Sequence, residues 1–436
     1  MHADTIYAPA SAQGKAGVAV VRVSGPQAGQ AMAMIIGGTL PAPRRAALRL
    51  LRDPRQGGAI DRGLVLWFPA PHSFTGEDVG EMHIHGGRAT LAALLAALAG
   101  IGQCRLAEPG EFSRRAFENG RLDLTEAEAI ADLVAAETEQ QRRQALRQLD
   151  GELGALYEDW RQRLLGALGR LEADIDFPDE DLPHDMAATV RPMLAGLGEE
   201  IAAHLADNRR GERLRHGLHV AIIGAPNVGK SSLLNALARR EAAIVSETAG
   251  TTRDIIEVHL DLGGWPVVLA DTAGLRASDN EIEREGVRRA EARAAHADLR
   301  VVLLDASAPE LAPRVEAAIQ PGDVVVYNKS DLLMPADPGA ALSVKTGAGL
   351  DRLLAKIEER VGLLMQSSAG PPLTRERHRL ALQECVQALQ RALAAGAGEL
   401  AAEDVRLAAR ALGRITGRVG VEDMLDIVFR EFCIGK

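Results

Sequence analysis

The chain has 436 residues, 47% of them hydrophobic and 25% charged, which at roughly 150 residues per domain predicts two to three packed domains and excludes wholesale disorder. Lys and Arg number 50 against 60 Asp and Glu, a formal charge of −10, so a general nucleic-acid-binding coat is excluded and any RNA contact must be focal. Cys104, Cys385 and Cys433 stand far apart without a CxxC pair. With no run near the roughly 18 apolar residues of a membrane span, they fit neither a disulfide framework nor a zinc site, and a reducing cytoplasm is the expected compartment.

Residues 1–118 read as a compact α+β unit, with β-rich runs at 18–23, 64–68 and 79–84 and a helix over 88–98. Residues 119–215 read as helical: Leu133, Leu146, Leu149, Leu153, Leu156, Trp160, Leu164, Leu168 and Leu171 recur at three- and four-residue steps or their sums, predicting one long amphipathic stretch. The proline-bearing acidic segment 176–183 interrupts it, and a second helical stretch runs to about Arg215. Over 216–365 strand-like runs at 218–223, 257–262, 267–270, 300–304 and 324–327 alternate with helical ones and close with a helix over 350–361, the pattern of a doubly wound α/β domain. Residues 366–372 read as a linker, and 366–436 as helical again. The predicted architecture is multidomain, with an α/β domain inserted into an all-α domain that is split in sequence and an α+β domain in front.

Gly224-Ala-Pro-Asn-Val-Gly-Lys-Ser231 matches GxxxxGK[ST] between an apolar strand and a helix. Its backbone, with Asn227, Val228, Gly229, Ser231 and Ser232, is expected to cradle phosphates, Lys230 to reach the β- and γ-phosphates and Ser231 to ligate Mg²⁺. Asp271, Thr272, Ala273 and Gly274 follow at a strand end, where Asp271 can hold the Mg²⁺ shell and an amide can meet the γ-phosphate. Asn328-Lys329-Ser330-Asp331 also ends a strand, and the Asp331 carboxylate can accept the N1–H and exocyclic amine of guanine, which adenine does not offer. Ser343, Val344 and Lys345 would back the base. The order of these motifs predicts a Ras-like P-loop domain that binds GTP. Between them, Thr251 or Thr252 offers a second hydroxyl to Mg²⁺. Leu275, just after the DTAG motif, cannot polarise water, so Glu281, Glu283 and Glu285 are the candidates for that task.

Several stretches together resemble the MnmE (TrmE) family of tRNA-modification GTPases over essentially the whole chain: Asp4-Thr-Ile6, Arg22-Val-Ser-Gly25, Phe74-Thr-Gly-Glu-Asp78, His85-Gly-Gly87, the long run Pro109 to Glu128, Thr248-Ala-Gly-Thr-Thr-Arg-Asp254 and Cys433-Ile-Gly-Lys436. The resemblance implies that residues 1–118 bind a tetrahydrofolate derivative (the 5,10-methylene or 5-formyl form) and dimerise. Arg22 and Ser24 fall on the folate-contact motif, with Glu81, Arg121 and Lys436 as further candidate contacts. It also implies a homodimer that works with the FAD protein MnmG to install a (carboxymethyl)aminomethyl group at carbon 5 of the wobble uridine of tRNA, and G domains that pair in a K⁺-dependent way. Asn227 and the Thr248–Thr252 loop would then supply oxygens to K⁺, Glu283 would orient water, and Cys433 would lie near the active centre.

The bland alternatives are concrete. Cys433 reads more readily as a terminal thiol, His83 and His85 lack a third metal ligand, and Arg142, Arg143, Arg147, Arg161 and Arg163 sit among as many acids and glutamines as a solvated helical face. A second functional reading is a GTP switch in ribosome assembly similar to Era or Der. The second P-loop of Der and the KH unit of Era are not found in this sequence.

Overall fold

The computed structural model describes the chain except residues 1–3, 13, 177–185, 241, 245–256, 272–296, 309–318, 366–369, 396–397, 421, 431 and 436, and except the side chains of 186–188, 271 and 422–424. Its contacts gather into two compact units, Met1–Ala131 with Gln148–Gly169 and Val405–Lys436, and Asp132–Arg147 with Arg170–Asp404.

The first unit opens with β1 (Thr5–Pro9), β2 (Ala16–Ser24), α1 (Ala28–Ile36), β3 (Ala47–Arg52), β4 (Ala59–Phe68), β5 (Val79–Gly86), α2 (Arg88–Ala99) and β6 (Cys104–Leu106). The strands form one sheet in the order β3-β4-β5-β2-β1-β6, antiparallel except for the β1–β6 pair. Alternation decides which face is buried: Val21, Val23, Met82, Ile84 and Val65 point into a core closed by Met32 and Ile35 of α1 and Leu94 and Leu98 of α2. Gly80 lets α1 approach, since a Cβ there would lie 2.6 Å from Met32 Cγ. The predicted 18–23, 64–68, 79–84 and 88–98 elements are all present, whereas β1, α1, β3 and β6 were not anticipated.

Helices α3 (Glu111–Glu118), α4 (Leu124–Ala135), α5 (Glu139–Leu149) and α6 (Glu152–Asp176) follow. The single amphipathic stretch expected after Leu122 is therefore several helices. Gly151, at φ +84°, breaks the run between α5 and α6 in a conformation that favours glycine, and Thr138 with Gln141 caps the start of α5 by accepting the Glu137 and Thr138 amides on Gln141 Oε1.

In the second unit α7 (Met186–Leu205) and α8 (Arg210–His216) lead into β7 (Leu218–Ile223), α9 (Lys230–Ala238), β8 (Glu257–Leu262), β9 (Trp265–Asp271), β10 (Leu299–Asp305), β11 (Val324–Asn328) and α10 (Leu350–Leu364). The sheet order is β11-β10-β7-β9-β8, parallel but for β8, which forms a hairpin with β9. Val220, Ile222, Leu269, Val301, Leu303 and Val326 fill its core with Leu233 and Leu237 of α9 and Leu353 and Ile357 of α10. The chain then runs into α11 (Glu376–Ala395), α12 (Glu399–Thr416) and α13 (Glu422–Arg430).

The chain enters and leaves the nucleotide-type sheet side by side. Arg215, before β7, and Arg375, after α10, both donate to Asp132 Oδ1 at 2.8 Å. Arg379 of α11 reaches Asp207 and Glu212 at 2.7 Å each. A Cβ on Gly211 would lie 2.1 Å from the Leu373 carbonyl oxygen, so the two passing backbones touch.

Candidate functional site

In the second unit the loop between β7 and α9 wraps on itself. Asn227 (φ +60°) and Gly229 (φ +105°) adopt the left-handed conformation that turns successive amides inward. Lys230, 9% exposed, donates from Nζ to the Gly224 and Ala225 carbonyls at 2.9 and 3.0 Å, so its ammonium sits inside the ring of the loop. Two glycines are needed for close approach: a Cβ on Gly224 would lie 2.3 Å from the Leu303 oxygen, and one on Gly229 2.4 Å from Asn328 Nδ2. Ser231 and Ser232 are exposed in the first turn of α9, where the helix dipole favours an anion.

Asn328, 4% exposed, ties three loops together. Its Nδ2 donates to the Val228 carbonyl at 2.7 Å and its Oδ1 accepts the Val344 amide at 3.1 Å. Ser343 Oγ donates to Asp331 Oδ1 at 2.7 Å, and that bond, with the Lys345 charge, holds the Asp331 carboxyl below the usual range. The carboxylate is thus an ionised acceptor. Lys329 (φ +63°) reaches Asp305 at 2.5 Å. Burial opposes the charge on Asp305, but Lys329 and the Ser307 hydroxyl and amide outweigh it and lower its pKa. Asn227, Gly229, Ser232, Asn328, Lys329, Asp331, Val344 and Lys345 line one cavity of about 570 Å³, together with Asn235, Arg239 and Leu332. Asn235 and Arg239 were not foreseen, although they follow Ser232 at three- and seven-residue steps, in α9 and at its C-terminal cap, and the helical period would have found them.

Asp271 ends β9 opposite Ile222 of β7, at the end of its strand as expected. Thr248, Thr251, Thr252, Thr272, Ala273, Gly274, Glu283 and Lys436 lie outside the described residues.

A second polar site forms in the first unit around the segment Phe74–Asp78. Arg22 on β2 and Glu81 on β5 are cross-strand neighbours joined at 2.9 to 3.0 Å, each side chain 18% exposed, with the guanidinium over the Phe74 and Phe112 rings at 5.1 and 5.7 Å. Buried Ser24 contacts Thr75 Oγ1 at 2.7 Å and donates to Glu77 Oε2 at 2.8 Å. Arg121 lays its stem against Gly76, whose Cβ would lie 3.2 Å from Arg121 Cγ. Beneath them Arg115, fully buried, reaches Glu77 at 3.2 Å, Glu111 at 2.9 Å and Asp4 at 3.0 Å. Arg22, Ser24, Glu81 and Arg121 thus surround one motif, while Thr75, Glu77, Phe112 and Arg115 were missed as site residues because their partners lie far along the chain.

Cys433 is exposed but anchored: its carbonyl accepts the Gly110 amide at 3.4 Å, Ile434 bridges to Pro109, and a Cβ on Gly435 would lie 2.0 Å from the Pro9 oxygen. His83 and His85 each face their own carboxylate, Glu81 at 3.4 Å and Asp61 at 2.9 Å, and among the described residues no group of three or more His, Cys, Asp and Glu is placed to hold a metal. No helix among the described residues is long and apolar enough to cross a membrane.

Comparison with known proteins covers the whole chain. Residues 5–121 match the family described as "GTP-binding protein TrmE N-terminus", and residues 124–433 match "MnmE helical domain". Proteins named tRNA modification GTPase MnmE are similar end to end: that of Parvibaculum lavamentivorans is 57% identical over 99% of this chain and 100% of its own length, that of Rhodospirillum rubrum 57% over 100% of both, and that of Paramagnetospirillum magneticum 58% over 99% of this chain and 100% of its own.

Proposed function

The chain belongs to the MnmE family of tRNA modification GTPases, and from that premise we propose that it hydrolyses GTP to drive a folate-dependent modification of wobble uridine in tRNA, as a homodimer working with MnmG. The observation that carries the nucleotide half is Asn328: one side chain fastens the phosphate loop to the base-side loop, next to an ionised Asp331 that accepts the two N–H donors of guanine.

For hydrolysis, water attacks the γ-phosphorus, the bond to the β–γ bridging oxygen breaks, and GDP and phosphate leave. Lys230 and the amides at the start of α9 take up charge that develops on the phosphates. Ser231, Thr252 and Asp271 offer oxygens to Mg²⁺, and Glu283 orients the water. Asn227, exposed at the rim of the loop, offers a carbonyl oxygen to K⁺, with the remaining donors assigned to the Thr248 to Thr252 backbone. A cation there would neutralise transition-state charge in the place of an arginine.

For the folate half, the residues present fit the ligand class. Arg22 and Glu81 form a partly open acid–base pair against two aromatic faces, suited to a flat heterocycle with an amino edge and to an anionic tail. Arg22, Ser24, Glu81, Arg121 and Lys436 would hold it, and when bound it supplies the one-carbon unit. Cys433, held beside Gly110, is the candidate thiol.

Comparing GTP turnover in K⁺ and in Na⁺, for the parent and for Asn227→Ala, tests the cation. The parent is expected to be faster in K⁺ and the variant to lose that difference; equal parent rates in both salts would remove the cage. Nucleoside analysis of tRNA from a strain lacking the gene is expected to show unmodified wobble uridine, and an unchanged profile would sink the tRNA assignment.

A further inference from the structure

In a chain of −10, the segment from Arg44 to Arg62 holds six arginines, Arg44, Arg45, Arg49, Arg52, Arg55 and Arg62, against Asp53 and Asp61. Five of the six are exposed and Arg49 is half-buried. They lie on and around β3, which is the outermost strand of the six-stranded sheet, and on β4 beside it, where Arg62 pairs with Leu50.

What distinguishes them is the company they keep. Several exposed arginines elsewhere are neutralised by carboxylates, Arg142 and Arg143 by Glu139 at 2.7 Å each, Arg114 by Glu118 at 2.9 Å and Arg391 by Asp404 at 2.8 Å, whereas others such as Arg88, Arg147 and Arg170 stand singly; around β3 the arginines without a close carboxylate are clustered. Around β3 four of the six guanidiniums, those of Arg44, Arg49, Arg52 and Arg55, are held by backbone carbonyls. Arg44 donates to His72 O at 2.5 Å, Arg52 to Gly57 O at 3.2 Å and Arg55 to Ala96 O at 3.1 Å. Among the described residues the single carboxylate within ion-pair distance of any of the six is Asp53, 3.9 Å from Arg55. Neutral acceptors orient a guanidinium without cancelling its charge, so the edge presents unspent positive charge, four of its six groups held in place. Protecting an edge strand against aggregation asks only for some charge of either sign, and does not explain six of one sign with their counter-ions left out.

We propose that the β3 edge is a docking surface for the phosphate backbone of RNA. The proposal rests on the reading that the protein acts on tRNA. β3 extends over six residues, about 20 Å at roughly 3.3 Å each, long enough to run beside several phosphates of one strand. Guanidinium forks suit phosphate oxygens. The contacts carry charge and not base identity, so they position the RNA and leave sequence choice to other parts of the complex.

The test uses the full chain and a fluorescein-labelled, unmodified tRNA transcript, with affinity read by anisotropy between about 50 and 200 mM KCl. Replacing Arg45, Arg49, Arg52 and Arg62 together by Gln is expected to flatten the slope of log K on log salt by about 3, at 0.7 to 0.9 per lost contact, so that the parent loses roughly 60-fold more affinity than the variant across that range. The fourfold Arg→Lys variant keeps the slope, as does Arg142→Gln with Arg143→Gln, and a far-ultraviolet spectrum and urea midpoint equal to the parent's show that each variant is folded. Equal slopes for the parent and the Gln variant overturn the docking surface while leaving the RNA reading intact. A parent that does not bind the transcript overturns that reading itself. Phosphatidylserine vesicles bound by the parent but not by the Gln variant, with RNA binding equal in both, would reassign the edge to a lipid surface and overturn the proposal.

Discussion

At the proposed guanine site Asp331 and Asn328 each make their own prediction. Asp331 offers only acceptors, fixed by Ser343 Oγ at 2.7 Å. Asp331→Asn replaces one acceptor by a donor, which suits the carbonyl at carbon 2 of xanthine in place of the amine of guanine. The variant is expected to prefer xanthosine triphosphate over GTP by at least about tenfold in a competition assay, because a mismatched buried donor or acceptor costs about 1–3 kcal/mol; unchanged preference would show that Asp331 does not meet the base. Asn328→Ala frees the Val228 carbonyl and the Val344 amide together. At about 1–1.5 kcal/mol per bond, GDP affinity measured by calorimetry is expected to fall by roughly 30- to 150-fold, with the far-ultraviolet spectrum unchanged.

At the scale of elements, α3 is fixed to the start of β1 and to the Phe74–Asp78 segment by buried charge. Burial works against ionisation of Glu111, yet Arg105, the Glu108 amide and Arg115 together hold its carboxyl below the usual range. Asp4 is likewise opposed by burial and lowered by Arg105 and Arg115. Both folded-state values lie below the unfolded ones, so this stabilisation is complete above the ordinary carboxylate range and is lost as pH falls through the lowered values, below about 4. Urea midpoints of the parent are expected to drop over that interval, and the drop is expected to shrink in Arg115→Met. At neutral pH that variant leaves Glu77 and Glu111 facing an apolar side chain and is expected to lose about 3–5 kcal/mol, the usual result of breaking a buried pair from one side. A loss under about 1 kcal/mol would mean that Arg115 fills space and little more.

At the scale of the whole molecule, what could be read in advance depended on how local the signal was. The phosphate loop, the Asn328 segment and the alternation of β2, β4 and β5 are contiguous patterns and were legible. α1 was not, since Gln27 gives it no side-chain cap, nor was β3, whose Ala-Leu-Arg-Leu-Leu-Arg composition suits a helix as well as a strand. The break at Gly151 was hidden by leucines that keep helical spacing on both sides of it. Arg115 shows the wider limit: its partners Asp4, Glu77 and Glu111 span over a hundred residues, and only folding brings them together.

The paired entry and exit at Asp132 has a consequence for how such a chain can be rearranged. Because Gly211 and Leu373 touch, the residues between them form a long excursion whose two ends are already closed, and the entropy of closing a loop grows only with the logarithm of its length. Residues 218–370 are therefore expected to behave as an exchangeable cassette. A gene in which a few glycines and serines replace them should still yield the helices around Asp132 with cooperative thermal unfolding, and a non-cooperative transition would show that the excursion holds its own frame together.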